Sequence, residues 1–136
     1  MVKQVNMKKV FLGGTCNNSS WRNRLIPLLN IEYFNPVVED WTEECQQEEI
    51  RQKKICNYHL YVITPLMLGS FSIAEVVDSS NKNPQGTIFC VLEKDDNNQF
   101  TTPELKSLKA VKAMVKSNGG TVLTSLEEVA NFLNKQ

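Results

Sequence analysis

Several kinds of residue that commit a protein to a particular chemistry are scarce in this chain. Histidine occurs once, at His59, so a cluster of imidazole metal ligands is excluded. The four cysteines, Cys16, Cys45, Cys56 and Cys90, contain no C-x-x-C pair and no zinc-ligand spacing, which leaves reduced thiols as the expectation and no metal site. Neither charge dominates: 15 lysines and arginines face 15 aspartates and glutamates, so nothing draws the chain to a nucleic acid polymer or another polyanion. Long apolar runs are missing too. The basic opening MVKQVNMKK leads into a stretch too short for a signal-peptide core or a membrane span, and a cytoplasmic protein with no membrane partner is expected.

What remains in 136 residues is enough apolar content for the core of one domain spanning 1–136. Five β-rich runs recur, KKVFLG, IEYFNP, YHLYVIT, GTIFCVLE and a weaker GGTVLT. Helix-compatible spacing fills the intervals, over 19–29, 42–56, 72–80 and 103–117, and a last helix covers 125–134. Thr102 before Pro103 reads as a helix start, Asn118-Gly119-Gly120 as a stop, and Thr124 with Glu127 as a capping box. LEKDDNNQFTTP, from Leu92, reads as a long polar loop. Strict alternation of strand and helix predicts a parallel sheet covered on both faces. Five such strands predict a flavodoxin-like α/β three-layer sandwich with strand order 2-1-3-4-5.

In that order ligands sit outside the carboxyl ends of strands one and three. The loop GGTCNNSS, from Gly13, belongs at that crevice, as does TPLMLGS, from Thr64. A phosphoacceptor site would need acids where Gly13, Gly14 and Thr64 stand, and the loops lack an aromatic pair to sandwich a flavin, so no cofactor is expected. Glu75 is placed in the first turn of the third helix, where it either complements the helix dipole or serves as a nucleophile or general base. The second helix offers Glu48 and Glu49. Arg51, Lys53 and Lys54 are expected to face solvent, with Glu49 and Lys53 at i,i+4 spacing. Asp40 and Trp41 stand at the rim, where the indole either stacks on a base or sugar or covers the helix start. His59, inside a strand, reads as a packed side chain.

Four stretches in order, VFLGGTCNNSSWR, FNPVVEDWTEE, YVITPLMLGSFSIAEVVD and SLEEVANFL, resemble the nucleoside 2-deoxyribosyltransferase-like proteins, in particular a small phage and bacterial branch. The resemblance implies cleavage of the N-glycosidic bond of a nucleoside or nucleotide by transfer or hydrolysis. The alternative on the same fold is binding or sensing without turnover. It also implies Glu75 as nucleophile and Glu49 as general acid, and a homo-oligomer. Gly13 and Gly14 are then expected to let the backbone approach the ligand, with Thr15, Asn17 and Asn18 on its phosphate or sugar hydroxyls. Trp21, Asp40, Trp41, Pro65, Gly69, Ser70 and Ser72 complete the expected substrate-binding set.

Overall fold

The computed structural model describes residues 8–136, and the first seven residues of the basic opening lie outside them. In chain order the elements are β1 (Lys9–Gly14), α1 (Trp21–Leu25), β2 (Glu32–Phe34), α2 (Glu43–Ile55), β3 (Tyr58–Ile63), α3 (Phe71–Lys82), β4 (Thr87–Val91), β5 (Lys94–Asp95), β6 (Asn98–Gln99), α4 (Thr102–Ser117), β7 (Thr121–Leu123) and α5 (Leu126–Asn134). The main sheet has the order β2-β1-β3-β4-β7, every neighbour parallel, which is the expected 2-1-3-4-5 with β7 as fifth strand.

Burial on both faces explains why these strands read as unbroken apolar runs rather than alternating ones. Successive side chains still point to opposite faces, so the sheet separates two cores. Val10, Leu12, Leu60, Val62, Ile88 and Cys90 pack with Trp21 and Leu25 of α1 and with Leu126, Val129 and Leu133 of α5. Tyr61, Ile63, Phe89 and Val91 pack on the other face with Val76 of α3 and with Leu108 and Val115 of α4.

The helix α2 is the exception. Within its 13 residues only Gln52 is buried, while Ile50 and Ile55 are half exposed. Without an apolar stripe it cannot close tightly on the sheet. A groove therefore stays open between α2 and α3.

Local chemistry sets the boundaries, and several differ from the sequence expectation. Pro27 follows the short α1, and the chain continues as a 3₁₀ turn over Ile26–Leu28 rather than as one helix to 29. The N-cap of α4 is Thr101, not Thr102: its hydroxyl accepts from the Glu104 amide while the Glu104 carboxylate accepts from the Thr101 amide. Likewise Ser125 caps α5, with Glu128 reaching back to Thr124. The polar stretch after Leu92 holds the β5–β6 hairpin, and Asp95 in it is buried, accepting a 2.5 Å hydrogen bond from the Ser19 hydroxyl.

Candidate functional site

The loop after β1 is built from its own hydrogen bonds. Trp21 is wholly buried, and its indole N–H donates to the Thr15 carbonyl at 2.7 Å. Arg22, also buried, stacks on that indole and donates to the carbonyls of Leu12 at 3.1 Å, Thr15 at 2.8 Å and Gly14 at 3.5 Å. Burial pushes the Arg22 guanidinium down from its ordinary range, while the Cys16 thiol beside it works in the opposite direction. These two side chains pin the carboxyl end of β1 from below. Trp21 thus sits in the core, not on the open face expected of a ligand contact.

The glycines have structural duties as well. A Cβ on Gly13 would lie 2.9 Å from the Tyr61 ring, and one on Gly14 would lie 2.1 Å from the Val62 carbonyl oxygen. Gly14 also has φ +116°, which L side chains rarely adopt. The space beside both residues is filled by β3, which is why glycine stands there. The Thr15 hydroxyl accepts from the Thr64 amide at 3.0 Å, joining the ends of β1 and β3.

Outside this scaffold lies a small crevice of about 230 Å³, lined by Gly14, Thr15, Cys16, Asn17, Met67, Leu68, Gly69, Phe71 and Ser72. Asn17 lines it while donating to the Leu66 carbonyl at 3.0 Å. Asn18 is exposed with φ +61°, and Pro65 is half-buried just after β3. Ser70 is the N-cap of α3 but makes no side-chain capping bond. The crevice is smaller than the ~300–1,000 Å³ of ordinary ligand pockets.

The larger space is the groove between α2 and α3, about 860 Å³, which is within that range. Lys53, Lys54, His59, Tyr61, Glu75 and Asp78 are among its lining residues. Phe71, 70 % exposed, lines both the groove and the crevice and so stands between them. Leu68, 84 % exposed, flanks the crevice.

Because α3 begins at Phe71, Glu75 is its fifth residue and lies beyond the first turn, not within it. The dipole contribution fades over that distance. Its carboxylate instead meets Lys53, whose ammonium donates to Oε2 at 2.5 Å across the groove. Lys53 does not face solvent, and the Glu49–Lys53 pairing suggested by spacing is replaced by this bond between helices. The same ammonium lies 5.4 Å from the centre of the Phe11 ring, a cation–π placement. The Lys53 backbone carbonyl accepts from His59 Nε2–H at 2.7 Å. His59 is therefore packed, as its strand position suggested, and burial pushes its pKa down.

Tyr61 is the second residue that the sequence did not single out. Its phenol faces Glu75 and Ser79, and burial first, then the nearby Glu75 charge, pushes its pKa up. The phenol therefore keeps its proton. A tyrosine in a strand of apolar residues gives no local signal of this; only the pairing of β1 with β3 places it above Gly13.

Glu49 lies on α2, where it accepts from the Trp41 indole at 3.3 Å and contributes to the field at Arg22. No hydrogen bond or ion pair joins Glu49 to Glu75 among the described residues. Trp41 is 58 % exposed, and Asp40 beside it is exposed. Glu48 is engaged locally: hydrogen bonds from Arg51 and Gln52 hold its carboxyl down at about 2.

A parallel sheet of this order with helices packed on both faces defines an α/β three-layer protein. The model of the family described as "nucleoside 2-deoxyribosyltransferase like" matches residues 7–95, about two thirds of the chain, and the protein belongs to that family. No curated protein and no solved structure matched the chain. Among the described residues no helix is long and apolar enough to cross a membrane.

Proposed function

We propose that this protein cleaves the N-glycosidic bond of a nucleoside or nucleotide, with Glu75 as nucleophile. The observation that carries the reading is the Glu75 carboxylate lining a groove of ligand size in a chain of this family. Departure of the base leaves an oxocarbenium-like sugar, and a carboxylate that captures C1′ divides one difficult step into two. Glu49 is the proposed proton donor to the departing base, approaching from the rim with Trp41. Gly69, Ser70 and Ser72, around the start of α3, are proposed to bind the sugar side of the ligand, with Asn17 and Thr15 of the β1 loop. The substrate is a small molecule and the setting cytoplasmic. Self-association over the exposed Trp41, Leu68 and Phe71 is proposed for the assembled form.

A specific observation favours a second reading, binding without turnover: the Lys53 ion pair already engages Glu75. One experiment decides between them. The protein is incubated with ribo- and deoxyribonucleosides and their 5′-monophosphates, with and without an acceptor base, and free base is detected chromatographically. Base release that disappears in Glu75→Gln supports the enzyme, and dependence on the acceptor separates transfer from hydrolysis. No release, with a melting temperature that rises on addition of one of these compounds, supports binding alone.

A further inference from the structure

The ion pair across the groove has a chemical consequence that depends on the charge of Glu75. Lys53 is fixed from three sides: its ammonium donates to Glu75 Oε2 and faces the Phe11 ring, and its backbone carbonyl is held by His59. Its partner is about four-fifths buried and Lys53 itself about two thirds, so the pair is shielded from water more than an ordinary surface pair. Among the described residues, Glu75 is the one carboxylate within ion-pairing distance of the ammonium.

We infer that Lys53 sets the lifetime of the covalent intermediate by stabilising the carboxylate that Glu75 becomes when it leaves the sugar. The inference rests on the function proposed above. In the first step the C1′–N bond breaks and its electron pair goes to the base nitrogen, which takes a proton from the general acid. A Glu75 oxygen forms the C1′–O bond. The side chain is now a neutral ester, and Lys53 has lost its counter-charge. In the second step the oxygen of water, or the nitrogen of an acceptor base, bonds to C1′ and gives its proton to the conjugate base of the general acid, which is thereby restored. The C1′–O bond breaks, and its electron pair returns to Glu75 as a carboxylate facing Lys53. An ammonium that pairs with the ionised form and not with the ester favours the second step over the first. Lys53 is thus a positioning residue acting through Glu75.

The test uses the full chain with the four common 2′-deoxyribonucleosides and their 5′-monophosphates. Rapid acid quench and intact-mass measurement detect a glycosylated protein, while chromatography follows free base. Lys53→Met is expected to release base in a burst of one equivalent and then turn over about ten- to a hundredfold more slowly, the range expected for a lost charge-assisted hydrogen bond. The adduct accumulates, and kcat and KM fall together while kcat/KM holds or rises, because the first step no longer gives up the ion pair. Lys53→Arg, which keeps the charge, restores most of the turnover. If Lys53→Met lowers kcat/KM and shows no adduct, its role is structural and the inference is overturned. Unchanged kinetics overturn it equally. Should Glu75→Gln abolish release while Lys53→Met behaves as wild type, only this inference falls. Release that persists in Glu75→Gln, or is absent in the wild type, removes the proposed function and the inference with it.

Discussion

Gly14→Ala separates a structural glycine from a ligand-facing one. Its φ of +116° is unfavourable for any L side chain, at a cost of about 1–2 kcal/mol. The new Cβ would meet the Val62 carbonyl oxygen at 2.1 Å and the Val62 nitrogen at 2.6 Å, atoms of a central strand that cannot turn away. The end of the β1–β3 ladder must open, and the 2.9 Å bond from the Thr15 amide to the Val62 carbonyl goes with it, at about 1 kcal/mol. Residual strain adds about 1–3 kcal/mol. The sum, about 3–6 kcal/mol, is a large part of the ~5–15 kcal/mol that holds a domain folded. For a chain of this size it lowers Tm by roughly 10–20 °C. Gly69→Ala is the control, because nothing lies within 4 Å of its added Cβ, and it is expected within about 0.5 kcal/mol of wild type. Thermal unfolding followed by circular dichroism reads both. A Gly14→Ala protein that melts with the Gly69→Ala control would refute the close approach of the two strands.

Trp21→Phe keeps most of the buried ring but removes the indole N–H donated to the Thr15 carbonyl, which retains its bond from Arg22, so chemical denaturation should show a loss of about 1 kcal/mol, against about 3–5 kcal/mol for Trp21→Ala. A Trp21→Phe protein as stable as the wild type would contradict the hydrogen bond, and equal losses would contradict the packing of the ring. Thiol labelling of the native protein should reach exposed Cys16 first and Cys45 next, and spare Cys56 and Cys90; burial holds the Cys90 thiol up at about 12. Early modification of Cys90 would show that the α5 side of the sheet opens. The single imidazole should titrate below the ordinary 6.5 by NMR. Because the unfolded chain binds that proton more readily, His59 contributes stability that is present above 6.5 and is lost as pH falls through its folded pKa. Glu48, Glu104 and Glu128, depressed by hydrogen bonds, act only below about 4.5, so a decline between pH 6.5 and 5 that survives His59→Phe would assign it to another group.

The sheet was legible because its signal is local. Runs such as KVFLGG and TIFCV carry burial on both faces in their composition, and the strand order follows from connections that must cross over. The hairpin at Lys94–Gln99 was not legible, since its two-residue strands are polar and the partner of the buried Asp95 carboxylate is Ser19, 76 positions away. Gly13 and Gly14 were expected to be glycine so that the backbone could approach a ligand closely. The need comes from Tyr61 and Val62 on the neighbouring strand, a fact that the β1 sequence does not contain.

The groove was the least legible part, for a reason that bears on the chemistry. Spacing along α2 relates Lys53 to Glu49 on its own helix, but a side chain at the edge of an open groove also sees the helix opposite. Helix α2 lacks the apolar stripe that would seat it on the sheet, and that same lack leaves room for a ligand and lets Lys53 reach Glu75. A more apolar α2 would stabilise the fold by burying area and would close the space that holds the carboxylate. Sparse packing and the candidate site are therefore one feature of the sequence, the polar run EECQQEEIRQKK, seen first as packing and then as chemistry.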